Sequence, residues 1–147
     1  MSTEKTDFHQ IFSEERTDWK EKIQILASKI KDIHTLGEAQ VDMFSNRQIL
    51  LEYSYKLAGI ISKLNTKYKV EKAKKLREYS ENNNIRYGAT EKTTLIDGDL
   101  TDIVEKMELV ENHRKYMDQT MQTVDHMLFA IKSRIALEDY LRGSTPK

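Results

Sequence analysis

Apolar side chains recur along most of this chain at alternating steps of three and four residues, the spacing that gathers them on one face of an α-helix. Between about 13 and 34, Trp19, Ile23, Leu26, Ile30 and Ile33 form one such stripe, and the helix they predict stops ahead of Gly37. From about 38 to 80 a second stripe holds Leu50, Leu57, Ile61, Leu64 and Tyr68, with Phe44, Leu51, Tyr55 and Ala58 beside it. At 1.5 Å per residue this helix is roughly 60 Å long, more than an ordinary globular core can cover. The stretch "ENNNIRYGAT", residues 81–90, then breaks the pattern, because clustered asparagines and Gly88 favour turns. A loop is predicted over 81–97.

The third long helix is expected over about 98–141, with Asp97 or Asp99 as its N-cap and Asp102 complementing the helix dipole. Its stripe runs Leu100, Ile103, Met107, Val110, Arg114, Met117, Met121, Val124, Leu128, Ile131 and Ile135, and only Arg114 interrupts it. A 3.5-residue repeat held this long predicts a coiled-coil-like seam, which needs a partner helix. The second helix of the same chain supplies one by folding back. The expected fold is therefore all-α: a single helical domain built on a long antiparallel hairpin, with a shorter N-terminal helix, a loose arm at 1–12 and a flexible tail at 142–147. Tyr53, Ile60, Met127, Phe129 and Leu141 lie off the main stripes, so apolar surface is left over and self-association is expected. Met107, Val110, Met117, Met121, Val124, Leu128, Ile131 and Ile135 are the candidate seam residues for the hairpin or an oligomer.

Composition narrows the chemistry. A length of 147 residues suits one domain, and the sole proline is Pro146, so nothing interrupts backbone hydrogen bonding along the body of the chain. There is no cysteine, which excludes disulfides and thiolate metal sites and fits a reducing compartment. The start "MSTEKTDFHQIF" has no signal-peptide pattern, and no apolar run approaches a membrane span, so a cytoplasmic protein without a membrane partner is expected.

The four histidines, His9, His34, His113 and His126, show no zinc-protease spacing, and "DGDLTD", residues 97–102, has Asp102 where a calcium loop needs glycine. No glycine-rich phosphate loop and no nucleophile elbow is present. No enzymatic activity, metal or cofactor is expected.

Charge is informative in its distribution. The 24 basic and 24 acidic residues cancel, yet "KYKVEKAKKLREYSENNNIRYG", residues 67–88, holds seven Lys or Arg against three Glu. Two bland explanations exist. Glu71 with Lys75, Lys74 with Glu78 and Arg77 with Glu81 stand four apart, as on any solvated helix. Residues 91–111 carry seven acids against Lys92 and Lys106, and in an antiparallel hairpin they would face the basic end.

Against these stand the surplus charges Lys67, Lys69, Lys72 and Arg86 and the row Lys56, Lys63, Lys67 and Lys74 on one helical face. Tyr79 and Tyr87 add stacking surfaces. Charge with aromatics suits a single-stranded nucleic acid. The candidate contacts are Lys67, Lys69, Lys72, Lys74, Lys75, Arg77, Tyr79, Arg86 and Tyr87. A coiled-coil structural or chaperone-like interaction protein without nucleic acid is the alternative.

"KAKKLREYS" at 72–80, "EKTTLI", the acidic "DGDL" and a closing "DHMLFAIKSRIALEDYLRG" together resemble the UvsY family, the recombination mediators of T-even-type bacteriophages. The resemblance covers Lys72 to Arg142, with "AIKSR" at 130–134 its most specific piece. It implies a non-enzymatic protein that binds single-stranded DNA as a homo-oligomer, heptameric in the family. Such a protein helps a phage recombinase load onto DNA covered by the phage single-strand-binding protein, in the cytoplasm of the infected cell. The family's basic motif, Lys-Ala-Arg-Leu, an acidic residue and Tyr-Tyr-Ser, places its Arg on Lys75, its Leu on Leu76 and its final pair on Tyr79 and Ser80. Its Lys falls on Ala73, its acidic position on Arg77 and its first Tyr on Glu78, with Lys72, Lys74 and Arg77 as compensating charges. Lys132 and Arg134, inside the C-terminal match, are secondary candidates for a nucleic-acid, oligomer or helix-end contact.

Overall fold

A computed structural model describes residues 7–81 and 86–143. The elements are α1 (Phe8–Ile30), a single 3-10 turn (Ile33–Thr35), α2 (Leu36–Glu81), α3 (Ala89–Asp99) and α4 (Thr101–Leu141). No strand occurs among the described residues. The long helices α2 and α4 pack against each other as the all-α hairpin the pattern predicts. The chain divides into two compact units. Of the described residues, one comprises Lys56–Arg114 with Asp7 and Phe8, the other His9–Tyr55 with Lys115–Gly143.

The second of these units is a three-helix layer of α1, the first part of α2 and the C-terminal part of α4. Each helix buries residues seven apart: Phe12, Trp19 and Leu26 on α1, Leu36, Met43 and Leu50 on α2, Met117, Val124 and Ile131 on α4. That step is two turns of a slightly underwound helix, so the same face stays against its neighbours along the whole length. Each such side chain contributes about 1.5–3 kcal/mol on burial.

Polar ties fix the register. The Tyr53 hydroxyl donates to Glu15 at 2.6 Å, Ser54 to Asp118 at 2.7 Å and Tyr116 to the Arg16 carbonyl at 3.3 Å. Arg47 pairs with Asp125, and Lys29 bonds both Glu38 at 3.0 Å and Asp42 at 2.7 Å.

Helix α1 begins five residues before the expected Ser13, because Phe12, 2 % exposed, anchors its first turns in the core. Of the arm expected at 1–12, residues 1–6 lie outside the described residues, as do 144–147 of the expected tail. The helix ends at Ile30 rather than His34. Asp32 takes the backbone N–H of His34 at 2.9 Å and Thr35 bonds the Lys29 carbonyl at 2.6 Å, so local side-chain bonds replace further helical ones. Gly37, expected as the break, sits in the first turn of α2.

In the other unit the second part of α2 packs on α3 and the start of α4 through Leu57, Ile96, Leu100 and Val110, with His113 also buried. The loop expected over 81–97 is corrected here: residues 82–85 lie outside the described residues, and from Ala89 the chain is helical. Gly88 opens α3, its N–H reaching the Glu91 carboxylate at 3.4 Å and its carbonyl accepting from Lys92 N–H at 2.9 Å. Asp97 and Asp99 therefore lie inside α3 instead of capping the long helix. Leu100, with φ −99° and ψ 3°, is the joint, and its own carbonyl accepts from Ile103 and Val104 to start α4.

The α4 seam is also shifted. Val110, Met117, Val124 and Ile131 are buried as expected, but His113 and Thr120 are buried beside them, while Met107, Met121 and Leu128 are half-buried and Ile135 is 39 % exposed. A helix with partners on two sides uses the columns on both flanks of its central stripe. Thr120 enters the interior by returning its hydroxyl to the Tyr116 carbonyl at 2.9 Å.

Candidate nucleic-acid interface

The lysine-rich segment lies on the second part of α2, where Leu57 is buried and Ile61, Leu64, Tyr68, Glu71, Lys75 and Tyr79 are half-buried at steps of three and four. These positions form the inward stripe. Apart from Ala58 and Ile60, the other residues of α2 from Lys56 to Glu81 are exposed. Lys56, Lys63, Lys67 and Lys74 fall within about 40° of one another around the helix, one turn being 3.6 residues, and all four are exposed. Lys69 and Lys72 are exposed toward the other flank, and Arg77 lies between the two sets. The outer surface separating the flanks is of short side chains, Gly59, Ser62, Thr66 and Ala73, so a chain lying there meets the helix closely with cations on both sides.

Of the nine primary candidates, Lys67, Lys69, Lys72, Lys74, Arg77 and Arg86 are exposed, while Lys75, Tyr79 and Tyr87 are half-buried. Lys75 sits on the inward stripe with Glu78 at 3.5 Å, the ion pair of this segment among the described residues. Lys72 places its ammonium 5.7 Å from the centre of the Tyr68 ring. The two tyrosines meet each other edge to face, with ring centres 5.4 Å apart. The Tyr79 hydroxyl donates to Asp99 at 2.6 Å, and this bond, with burial behind it, raises its pKa above the ordinary tyrosine value. One tyrosine thus joins α2 to α3. Nothing in the sequence linked residue 79 to residue 99, because that contact requires α3, which the pattern hid.

The acids of residues 91–111 do not neutralise the lysines by direct pairing. Among the described residues no ion pair within 4 Å links the two stretches. Asp97, Glu105 and Glu108 instead border a groove of about 360 Å³ whose floor is Leu100, Val104 and the Tyr68 ring. The secondary candidates sit in the other unit. Arg134 Nη1 donates to the Ile30 carbonyl at 2.6 Å, a C-terminal cap for α1, and Lys132 is exposed.

Comparisons of the chain with protein-family models, with curated proteins and with solved structures return no match. The chemistry of the surface therefore carries the functional argument. No helix among the described residues is long and apolar enough to cross a membrane.

Proposed function

We propose that this protein is a recombination mediator that binds single-stranded DNA as a homo-oligomer and helps a phage recombinase load onto DNA covered by single-strand-binding protein. The observation that carries the reading is the solvent-facing cation surface of α2, Lys56, Lys63, Lys67, Lys69, Lys72, Lys74 and Arg77, spread over about six helical turns, with Lys75 beside it on the inward stripe and held in an ion pair. Such a row follows a phosphate backbone without reading bases, and the affinity is counterion-driven. The resemblance of Lys72–Arg142 to the UvsY family supports the mediator role and the oligomer. Several copies add their modest patches into one avid path, so a chain of zero net charge still binds a polyanion.

The experiment is the anisotropy of a labelled oligo-dT titrated with protein across a salt series, with a duplex of equal length as competitor. Binding should prefer the single strand and weaken steeply with salt. Changing Lys72, Lys74, Lys75 and Arg77 together to Ala should reduce affinity and flatten the salt slope by about 0.7 for each phosphate the variant no longer neutralises. Affinity that survives this change rules the assignment out.

A second reading, a coiled-coil interaction protein, draws on the apolar stripe left on the outer face of α2, where Val41 is 68 %, Phe44 57 % and Tyr55 71 % exposed. It expects a stable complex with protein partners and no response to oligo-dT at any salt.

A further inference from the structure

We propose that the groove bordered by Asp97, Glu105 and Glu108 receives the lysine row of a second copy of this chain. The groove is apolar below, where Leu100, Val104 and Tyr68 form its floor, and anionic at its edge. Val104 remains 36 % exposed inside it. None of the three carboxylates has an ion-pair partner among the described residues. An occupant must therefore bring cations at the right intervals and a small apolar contact between them.

The chain's own α2 meets both requirements. Lys63, Lys67 and Lys74 span eleven positions in steps of four and seven; Glu108, Glu105 and Asp97, taken in the opposite direction, span eleven in steps of three and eight. At 1.5 Å per residue the lysine set is roughly 16 Å long, and the acid set, which crosses the Leu100 joint between α3 and α4, reaches no further than that. A second α2 laid antiparallel across α3 and α4 brings one ammonium to each carboxylate. Val70, 59 % exposed next to the row, reaches toward Val104, and the short side chains Thr66 and Ala73 permit close approach. Single surface ion pairs are weak, but three in one register with an apolar contact give a specific, salt-sensitive contact.

Row and groove are different surfaces of one chain, so the contact is head-to-tail and repeats from copy to copy. Its existence does not depend on nucleic acid. Its consequence does rest on the proposed function: the groove holds the lysines that a strand would need, so a strand displaces this contact, and the copies that share one strand are held together through surfaces other than row and groove.

The chain's lack of cysteine makes the test direct. Two differently tagged single-cysteine chains, Lys67→Cys and Glu105→Cys, are co-expressed and oxidised at low salt. The mixed disulfide is expected several-fold above random pairing, and to fall toward it at high salt. Lys67→Cys with Ser133→Cys should pair at random. Random pairing of the 67 and 105 positions, or a yield indifferent to salt, overturns the contact. Oligo-dT, added at a concentration that saturates its anisotropy, should suppress the mixed disulfide; undiminished yield at saturation overturns the competition. Failure of oligo-dT to bind in the anisotropy assay removes the DNA reading and leaves the disulfide result standing.

Discussion

Arg134 and Tyr53 show how much a single side chain contributes to this fold. The Arg134 guanidinium donates to the Ile30 carbonyl, one of the acceptors an α-helix leaves open at its end. Arg134→Ala should destabilise the protein by about 1–3 kcal/mol, because a charged hydrogen bond disappears and a part-buried acceptor is left open. Urea denaturation measures this, and oligo-dT affinity of the folded variant should stay unchanged. An affinity loss at full stability would make Arg134 a DNA contact instead.

Tyr53 is raised above its ordinary value of 10.0, first by burial and then by the bond it donates to Glu15. A group raised on folding contributes stability that is full below its unfolded pKa and fades as the pH climbs toward the folded one. Lys29, raised above 10.5 mainly by its bonds to Asp42 and Glu38, acts in the same direction. The melting temperature should accordingly fall above about pH 10, and less steeply in Tyr53→Phe. Equal steepness in the variant would place the titration elsewhere.

At the scale of the element, α3 is the instructive piece. Its apolar content is slight, and its burial rests on Ile96 and on Leu100 at the joint. Ile96→Ala should cost about 2–5 kcal/mol and raise amide exchange over 89–99 more than over α4. Uniform protection in the variant would contradict this anchoring. The three other helices were legible because long stripes survive local ambiguity: Trp19 and Leu26, Leu50 and Leu57, Met117 and Val124 mark them without reference to tertiary structure. Helix α3 was not, since eleven residues with two threonines in succession, beside an asparagine cluster, give no comparable stripe. Its one local sign is Glu91 three positions after Gly88, reaching back to the N-terminal amide. The basic surface was legible as charge, and its exposure followed from the seam. The inward position of Lys75 and the bond from Tyr79 to Asp99 were not, because both depend on which column of α2 faces its neighbours.

For the molecule as a whole, zero net charge is a matter of arrangement. Among the described residues no ion pair within 4 Å joins the lysines of the second part of α2 to Asp97, Glu105 or Glu108, so each set remains available to something outside the chain. Changing Lys63 and Lys74 together to Gln should weaken oligo-dT binding and also lower the yield of the mixed disulfide between the 67 and 105 cysteines, whereas Asp97→Asn with Glu108→Gln should lower only the disulfide. A loss of both in the second variant would point to misfolding, which circular dichroism would register.

The bonds from Tyr116 to Arg16 and from Arg134 to Ile30 join residues 100 and 104 positions apart. On the ribosome, where about 5–20 residues are added each second, Ile30 therefore waits roughly 5–20 s for its cap. During that interval Phe12, Trp19 and Leu26 have only the beginning of α2 to cover them. The first helix made is the last to be completed. Nascent chains arrested before residue 116 should be held by chaperones that bind apolar segments, and full-length chains should be released from them.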